Sequence, residues 1–131
     1  MADAVIFSDI MAHLVTRLSA ALTAQGFTDT RVSVLADESP SQVILRRDGG
    51  TRKSKTVMTS VIAVNTYSAN YADAETLANM VEAIFDDLPD GNPIVATSVQ
   101  ASVQDVSDLK AQRRFMRWAV DHRGTDFELP N

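Results

Sequence analysis

The sequence predicts an α+β fold in the order α-β-β-β-α-β-β, a mainly antiparallel sheet with two helices packed on one face. Three observations predict it. Two segments carry apolar residues at the three-and-four spacing of an amphipathic helix. Five others alternate apolar and polar residues, or run apolar, over strand-like lengths. Glycine and proline punctuate the joints between them. With 131 residues the chain fits one domain, residues 1–131, in which 124–131 read as a tail that is either loose or docked on a partner.

The first helix is expected over residues 6–22, where Phe7, Ile10, Met11, Leu14, Leu18, Ala21 and Leu22 form one stripe. Asp3 or Ser8 is the expected cap, and Gly26 stands where a left-handed terminating residue is usual. Beyond it the period falls to two. Residues 31–35 and 42–47 read as strands on either side of a Ser39-Pro40-Ser41 break, and Asp48-Gly49-Gly50 reads as a tight turn.

The strand over 56–66 is apolar on both sides: Val57, Val61 and Ala63 on one, Met58, Ile62 and Val64 on the other. Such a strand is covered twice, by a helix layer on one face and by something else on the other, for which another subunit is a candidate. A second helix over 72–88 buries Leu77, Met80, Val81, Ile84, Phe85 and Leu88 and stops at Pro89-Asp90-Gly91. Two strands close the fold. Residues 94–104 place Val95, Val99, Ala101 and Val103 inward. Residues 115–123 set Met116, Trp118, Val120 and His122 opposite Arg117, Asp121 and Arg123.

Composition narrows the chemistry. Hydrophobic residues make up 45% and charged residues 22%, as in an ordinary soluble globule. A net charge of −5 argues against a general nucleic-acid binder. The absence of cysteine excludes disulfides, thiolate metal sites and cysteine nucleophiles. The acidic start, Met1-Ala2-Asp3, does not read as an export signal, and no run is apolar enough for a spanning helix, so a cytoplasmic product with no membrane partner is expected.

Nucleophile elbows, phosphate loops and dinucleotide fingerprints are missing from the sequence. His13 and His122 lie on different elements without a metal-ligand neighbour and read as structural or surface residues. Residues 86–97 resemble a calcium loop faintly, but Thr97 stands where the bidentate Glu belongs. Asp105 and Asp108 read as a solvated turn, and Trp118 as core. Neither a catalytic residue, a cofactor nor a metal site is expected.

Charge is sorted along the chain. Residues 46–55 carry Arg46, Arg47, Arg52, Lys53 and Lys55 against Asp48, and 110–123 carry Lys110, Arg113, Arg114, Arg117 and Arg123 against Asp121. The second helix and its stop carry Asp73, Glu75, Glu82, Asp86, Asp87 and Asp90 with no basic residue. Solubility alone accounts for many such clusters. However, Asp86, Asp87 and Asp90 crowd a helix C-terminus, where the macrodipole disfavours negative charge by about 0.3–1 kcal/mol each. An outside basic partner is therefore expected: the basic hairpin of a neighbouring copy, or its last strand with Arg114 and Arg117, meeting Asp86, Asp87 and Asp90 in a head-to-tail contact.

The pattern as a whole resembles the tail terminator, or tail-completion, proteins of long-tailed bacteriophages. The resemblance runs in order through Gln25-Gly26-Phe27, Val43-Ile44-Leu45-Arg46-Arg47 into Asp48-Gly49-Gly50, and Asp73-Ala74-Glu75-Thr76-Leu77-Ala78. It continues through Val81-Glu82-Ala83-Ile84, Val103-Gln104-Asp105, Arg113-Arg114-Phe115 and the closing His122-Arg123-Gly124. It implies a structural virion protein and no enzyme: a ring of six copies that caps the tail tube and stops its polymerisation. The ring also offers a surface for head–tail joining.

The implied partners are further copies of the chain, the major tail tube protein and a connector or neck protein, with DNA passing through without specific binding. The implied place is the head-proximal end of the tail, after synthesis in the bacterial cytoplasm. The basic tip, Arg47, Arg52, Lys53 and Lys55, then faces the tube, lines the lumen or is simply solvated. A globule of this length has a radius of gyration of about 14 Å, and six in a closed ring leave a hole roughly one globule wide, enough for a DNA duplex. Two alternatives stand beside this reading. One is a neck protein; the other is a small monomeric ligand-binding module that uses Arg114 and Arg117 on one strand face.

Overall fold

A computed structural model describes residues 3–106 and 111–128 of the chain. In chain order the elements are β1 (Asp3–Ile6), α1 (Ile10–Ala24), β2 (Arg31–Ser33), β3 (Gln42–Arg52) and β4 (Val57–Ser68). They continue with α2 (Tyr71–Asp86), β5 (Ile94–Val106), β6 (Gln112–Arg123) and β7 (Thr125–Glu128). The α+β class and the predicted order hold from α1 to β6, with β1 and β7 added at the ends.

The main sheet has the order β2-β3-β4-β6-β5, antiparallel throughout except for the β2–β3 pair. Both helices lie on one face. Leu14, Leu18 and Leu22 of α1 and Leu77, Val81 and Phe85 of α2 share a core with Val43, Leu45, Ile62, Val64, Met116, Trp118 and Val120. Trp118 is thus a core residue, stacked on Phe85 at 5.4 Å between ring centres.

Local chemistry sets the element ends. The cap of α1 is Asp9 rather than Asp3 or Ser8: its carboxylate accepts from the Met11 and Ala12 amides at 3.0 and 3.1 Å. The Asp9 side chain serves two amides of the first helical turn, which are otherwise without intrahelical partners. Asp9→Ala should cost about 1 kcal/mol of stability, read from urea unfolding. Gly26 does adopt the left-handed conformation, φ +93°, just past the helix.

Three expectations are corrected here. Asp48-Gly49-Gly50 is not the reversal: the β3–β4 register shifts between Arg47 and Gly50, so these residues form a bulge and the chain turns at residues 53–56. Gly49 takes φ +105° there, and a side chain on Gly50 would collide with the Thr59 carbonyl. The tail is not loose over residues 125–128, which pair with β1 of the same chain; Leu129 lies outside the described residues. Finally, bulges in β5 break its alternation, so Val99 sits half-exposed rather than inward.

The second face of β4 also departs from expectation. Ala63 is fully buried there without a helix above it. Its cross-strand neighbours are Arg46 on β3 and Arg117 on β6. Long arginine stems laid over the sheet exclude water from small residues between them. The chain thus covers Ala63 with its own side chains.

Candidate functional site

Strand alternation separates the two arginines assigned to one interface. Arg117 points to the helix-free face, whereas Arg114 points under α2 and is 1% exposed. Its Nε lies 2.7 Å from Glu75 and 2.9 Å from Asp105, and its guanidinium stacks on Tyr71 at 4.9 Å. The hydrogen bond to Glu75, foremost, holds its pKa above the ordinary arginine value. Arg114 is therefore an internal counter-ion, unable to reach a neighbouring copy, and the ligand-module reading loses its two-arginine face. Asp108, proposed beside Asp105, lies outside the described residues.

The acidic end of α2 divides in a similar way. Asp90 pairs with Arg17 of α1 at 2.9 Å, and the same guanidinium donates to the Leu88 carbonyl at 3.3 Å. A cation thus already sits at this helix C-terminus, where the dipole favours one. The Asn92 amide, more than Arg17, keeps the Asp90 carboxyl below the usual carboxylate range. Asp86 and Asp87 are exposed and form no ion pair among the described residues.

The helix-free face of the sheet is a lattice of pinned cations. Asp48 accepts from Arg46 at 2.6 Å and from Arg117 at 3.2 Å, and these bonds, Arg46's first, hold its carboxyl below the usual range. Arg117 also stacks on Phe115. Arg113 donates twice to the Asn65 side-chain oxygen, at 2.9 and 2.7 Å, and lies over Tyr67. Its hydrogen-bond partner is neutral, and no carboxylate among the described residues pairs with it.

The tip cations do different work. Lys53 reaches Asp121 at 3.0 Å, and Arg52 donates to the Val5 carbonyl at 3.4 Å while stacking on Phe7. Arg47 and Lys55 are exposed and form no ion pair among the described residues; Arg47 meets only the Met58 sulfur. Phe7 in turn meets His122 edge-on at 5.7 Å, so the β1–β7 ribbon is packed against this end of the sheet.

His122 is buried, with Nε2 2.8 Å from the Ser60 hydroxyl. Burial, then the charge of Arg47, lowers its pKa below the ordinary imidazole value, against an opposing pull from Asp121. The unfolded chain therefore takes up a proton that the folded chain resists. Stability from the neutral ring is complete above about pH 6.5 and declines as pH falls below it. His122→Gln should flatten the fall between about pH 7 and 5 in thermal unfolding curves. The slope left over belongs to His13, also lowered, by burial first and Arg17 second.

Two of the concave regions among the described residues are each lined by two carboxylates. One, of about 340 Å³, lies between residues 26–30 and the start of α2 and includes Asp29 and Asp73. The other is a groove of about 500 Å³ between α2 and β5, lined by Glu82, Asp86, Val99, Ser102 and Trp118. The Glu82 carboxylate is held by neutral donors, the Ser102 hydroxyl at 2.9 Å and the Val103 amide at 3.4 Å. Sequence patterning hid this groove because it assigned Val99 to the interior; the acidic stripe of α2 was its only outward signal.

Among the described residues no cluster of three His, Cys, Asp or Glu could hold a metal ion. No helix among them is long and apolar enough to cross a membrane. Set against family models and curated proteins, the chain matches none.

Proposed function

We propose that the chain is a structural tail terminator, a subunit of a ring of about six copies that caps a phage tail tube. The ring stops tube growth, offers a landing surface for the connector or neck protein, and lets DNA pass without specific binding. Its place is the head-proximal end of the tail in the virion, after synthesis in the host cytoplasm. Neither catalysis nor a cofactor enters the reading.

The observation that carries it is uncompensated charge of opposite sign on one subunit. Asp86 and Asp87 lack ion-pair partners at one site, and Arg47 and Lys55 lack them at another, among the described residues. Self-complementary patches at different positions are what a head-to-tail contact needs, and such contacts close into rings. The pattern-level resemblance to tail terminators points the same way.

The test is the solution mass of the purified chain by light scattering, with negative-stain images of the same fractions. Rings of about six with an open centre support the reading; rings that bind connector proteins and ignore tube ends favour the neck protein instead. Arg47→Glu with Lys55→Glu should leave the melting temperature nearly unchanged, because neither cation has an ion-pair partner among the described residues, and should abolish capping of tubes. Normal capping by that variant removes the tip from the mechanism.

A further inference from the structure

The α2–β5 groove and the end of the molecule that carries Ile6 are opposite in charge. The groove offers the half-exposed Val99 between the carboxylates of Glu82 and Asp86. Glu82 has only neutral donors, and Asp86 has no ion pair among the described residues. The indole N–H of Trp118, which lines the groove, is buried and finds no acceptor among the described residues.

The opposite surface is built around Ile6, which is 58% exposed at the end of β1. Arg52 is bound to the Val5 carbonyl beside it and stacks on Phe7 after it. Arg47 lies close enough to lower the pKa of His122, the ring that Phe7 packs against. An exposed apolar residue on a basic end thus matches in charge a groove that presents Val99 with two carboxylates. Either residue alone would be unremarkable on a protein surface; the matched flanking charges single them out.

Position agrees with charge. The order β2-β3-β4-β6-β5 sets β3, whose last residue is Arg52, three strands away from β5. That is about 14 Å across the sheet. The register also sets Arg47 level with the groove, since Arg47 of β3 pairs with Ile62 of β4, Ile62 with Trp118 of β6, and Trp118 with Val99 of β5. Surfaces on opposite flanks and at one level are what successive copies around a cyclic axis bring together. The edge of β5 agrees too: residues 94–104 carry no charge, although free edges are normally protected by charged residues or cover.

We infer that the α2–β5 groove is a docking site for a second copy of this chain, whose Ile6 enters between Glu82 and Asp86 with Arg47 and Arg52 as its salt partners. The inference rests on the ring reading and names the contact that closes the ring. Binding of this kind is dominated by a central anchor, here Ile6 in its groove, with the charges fixing orientation.

The test uses two full-length variants. Ile6→Glu spoils the protruding end and leaves the groove; Val99→Arg fills the groove and leaves the end. Circular dichroism first checks that each is folded, and Glu82→Lys replaces Val99→Arg should that one fail to fold. In analytical ultracentrifugation each variant alone should associate about tenfold or more weakly than the parent chain. An equimolar mixture should form a one-to-one dimer and stop, because only one intact groove and one intact end remain between the two partners.

Three results overturn the inference: variants that assemble like the parent, a mixture that stays monomeric, or a parent chain monomeric at millimolar concentration. The ring reading fails separately. Rings that persist in both variants contradict this contact and leave the ring standing. Rings that dissolve as expected, in a protein that never caps tubes, contradict the tail function and leave the contact standing.

Discussion

Phe85→Ala should remove about 3–5 kcal/mol of stability, the largest loss expected from any single side chain discussed above. Phe85 is fully buried on the sheet-facing side of α2 and stacks on Trp118 with an interplanar angle of 21°. Its loss opens a cavity between the helix layer and β6, and it removes the aromatic contact as well as the transferred apolar surface. The loss is large beside a typical domain stability of about 5–15 kcal/mol. A fall in melting temperature on the order of 10 °C is expected in calorimetry. A fall of only one or two degrees would mean that α2 is not clamped to the sheet at this point.

The second large effect is an asymmetry around Arg114. Removing both acids, Glu75→Ala with Asp105→Ala, strands a buried guanidinium without counter-charge and should cost about 3 kcal/mol. Arg114→Met removes the buried cation instead. It leaves two carboxylates that are 37% and 64% exposed and that solvent can stabilise. That variant should cost about 1 kcal/mol, and adding it to the double acid variant should recover much of the loss. Urea unfolding of the four proteins decides. A larger cost for Arg114→Met than for the acid pair would show that packing on Tyr71 outweighs charge. Assembly should be unchanged in Arg114→Met, because this arginine is turned toward its own α2.

What the sequence made legible follows from periodicity. The stripes of α1 and α2 and the alternation of β6 each repeat over more than two turns or five residues, so a single dominant period emerges. The β1–β7 ribbon escaped because each strand is four residues long and satisfies only the other. The β3 bulge escaped because Asp48-Gly49-Gly50 satisfies a turn and a bulge equally, both needing glycine at positive φ.

The charged surface was legible in part. Adjacent arginines 113 and 114 look alike in a count of charge, yet strand parity sends one outward and buries the other against Glu75 and Asp105. Asp90 looked unanswered because its partner Arg17 lies 73 positions earlier in the chain. Asp86, Asp87, Arg47 and Lys55 are exposed, and no cation or carboxylate among the described residues meets them. Long-range pairing is what sequence spacing does not carry.

The central claim is that this chain ends a tail tube by forming a ring on it. Its most direct test is to add the purified protein to polymerising tail tube subunits and measure tube length by electron microscopy. The claim predicts tubes whose growth stops on addition, each bearing one ring at one end. Tubes that keep lengthening at the rate seen without the protein, with the chain left in the supernatant, would contradict it.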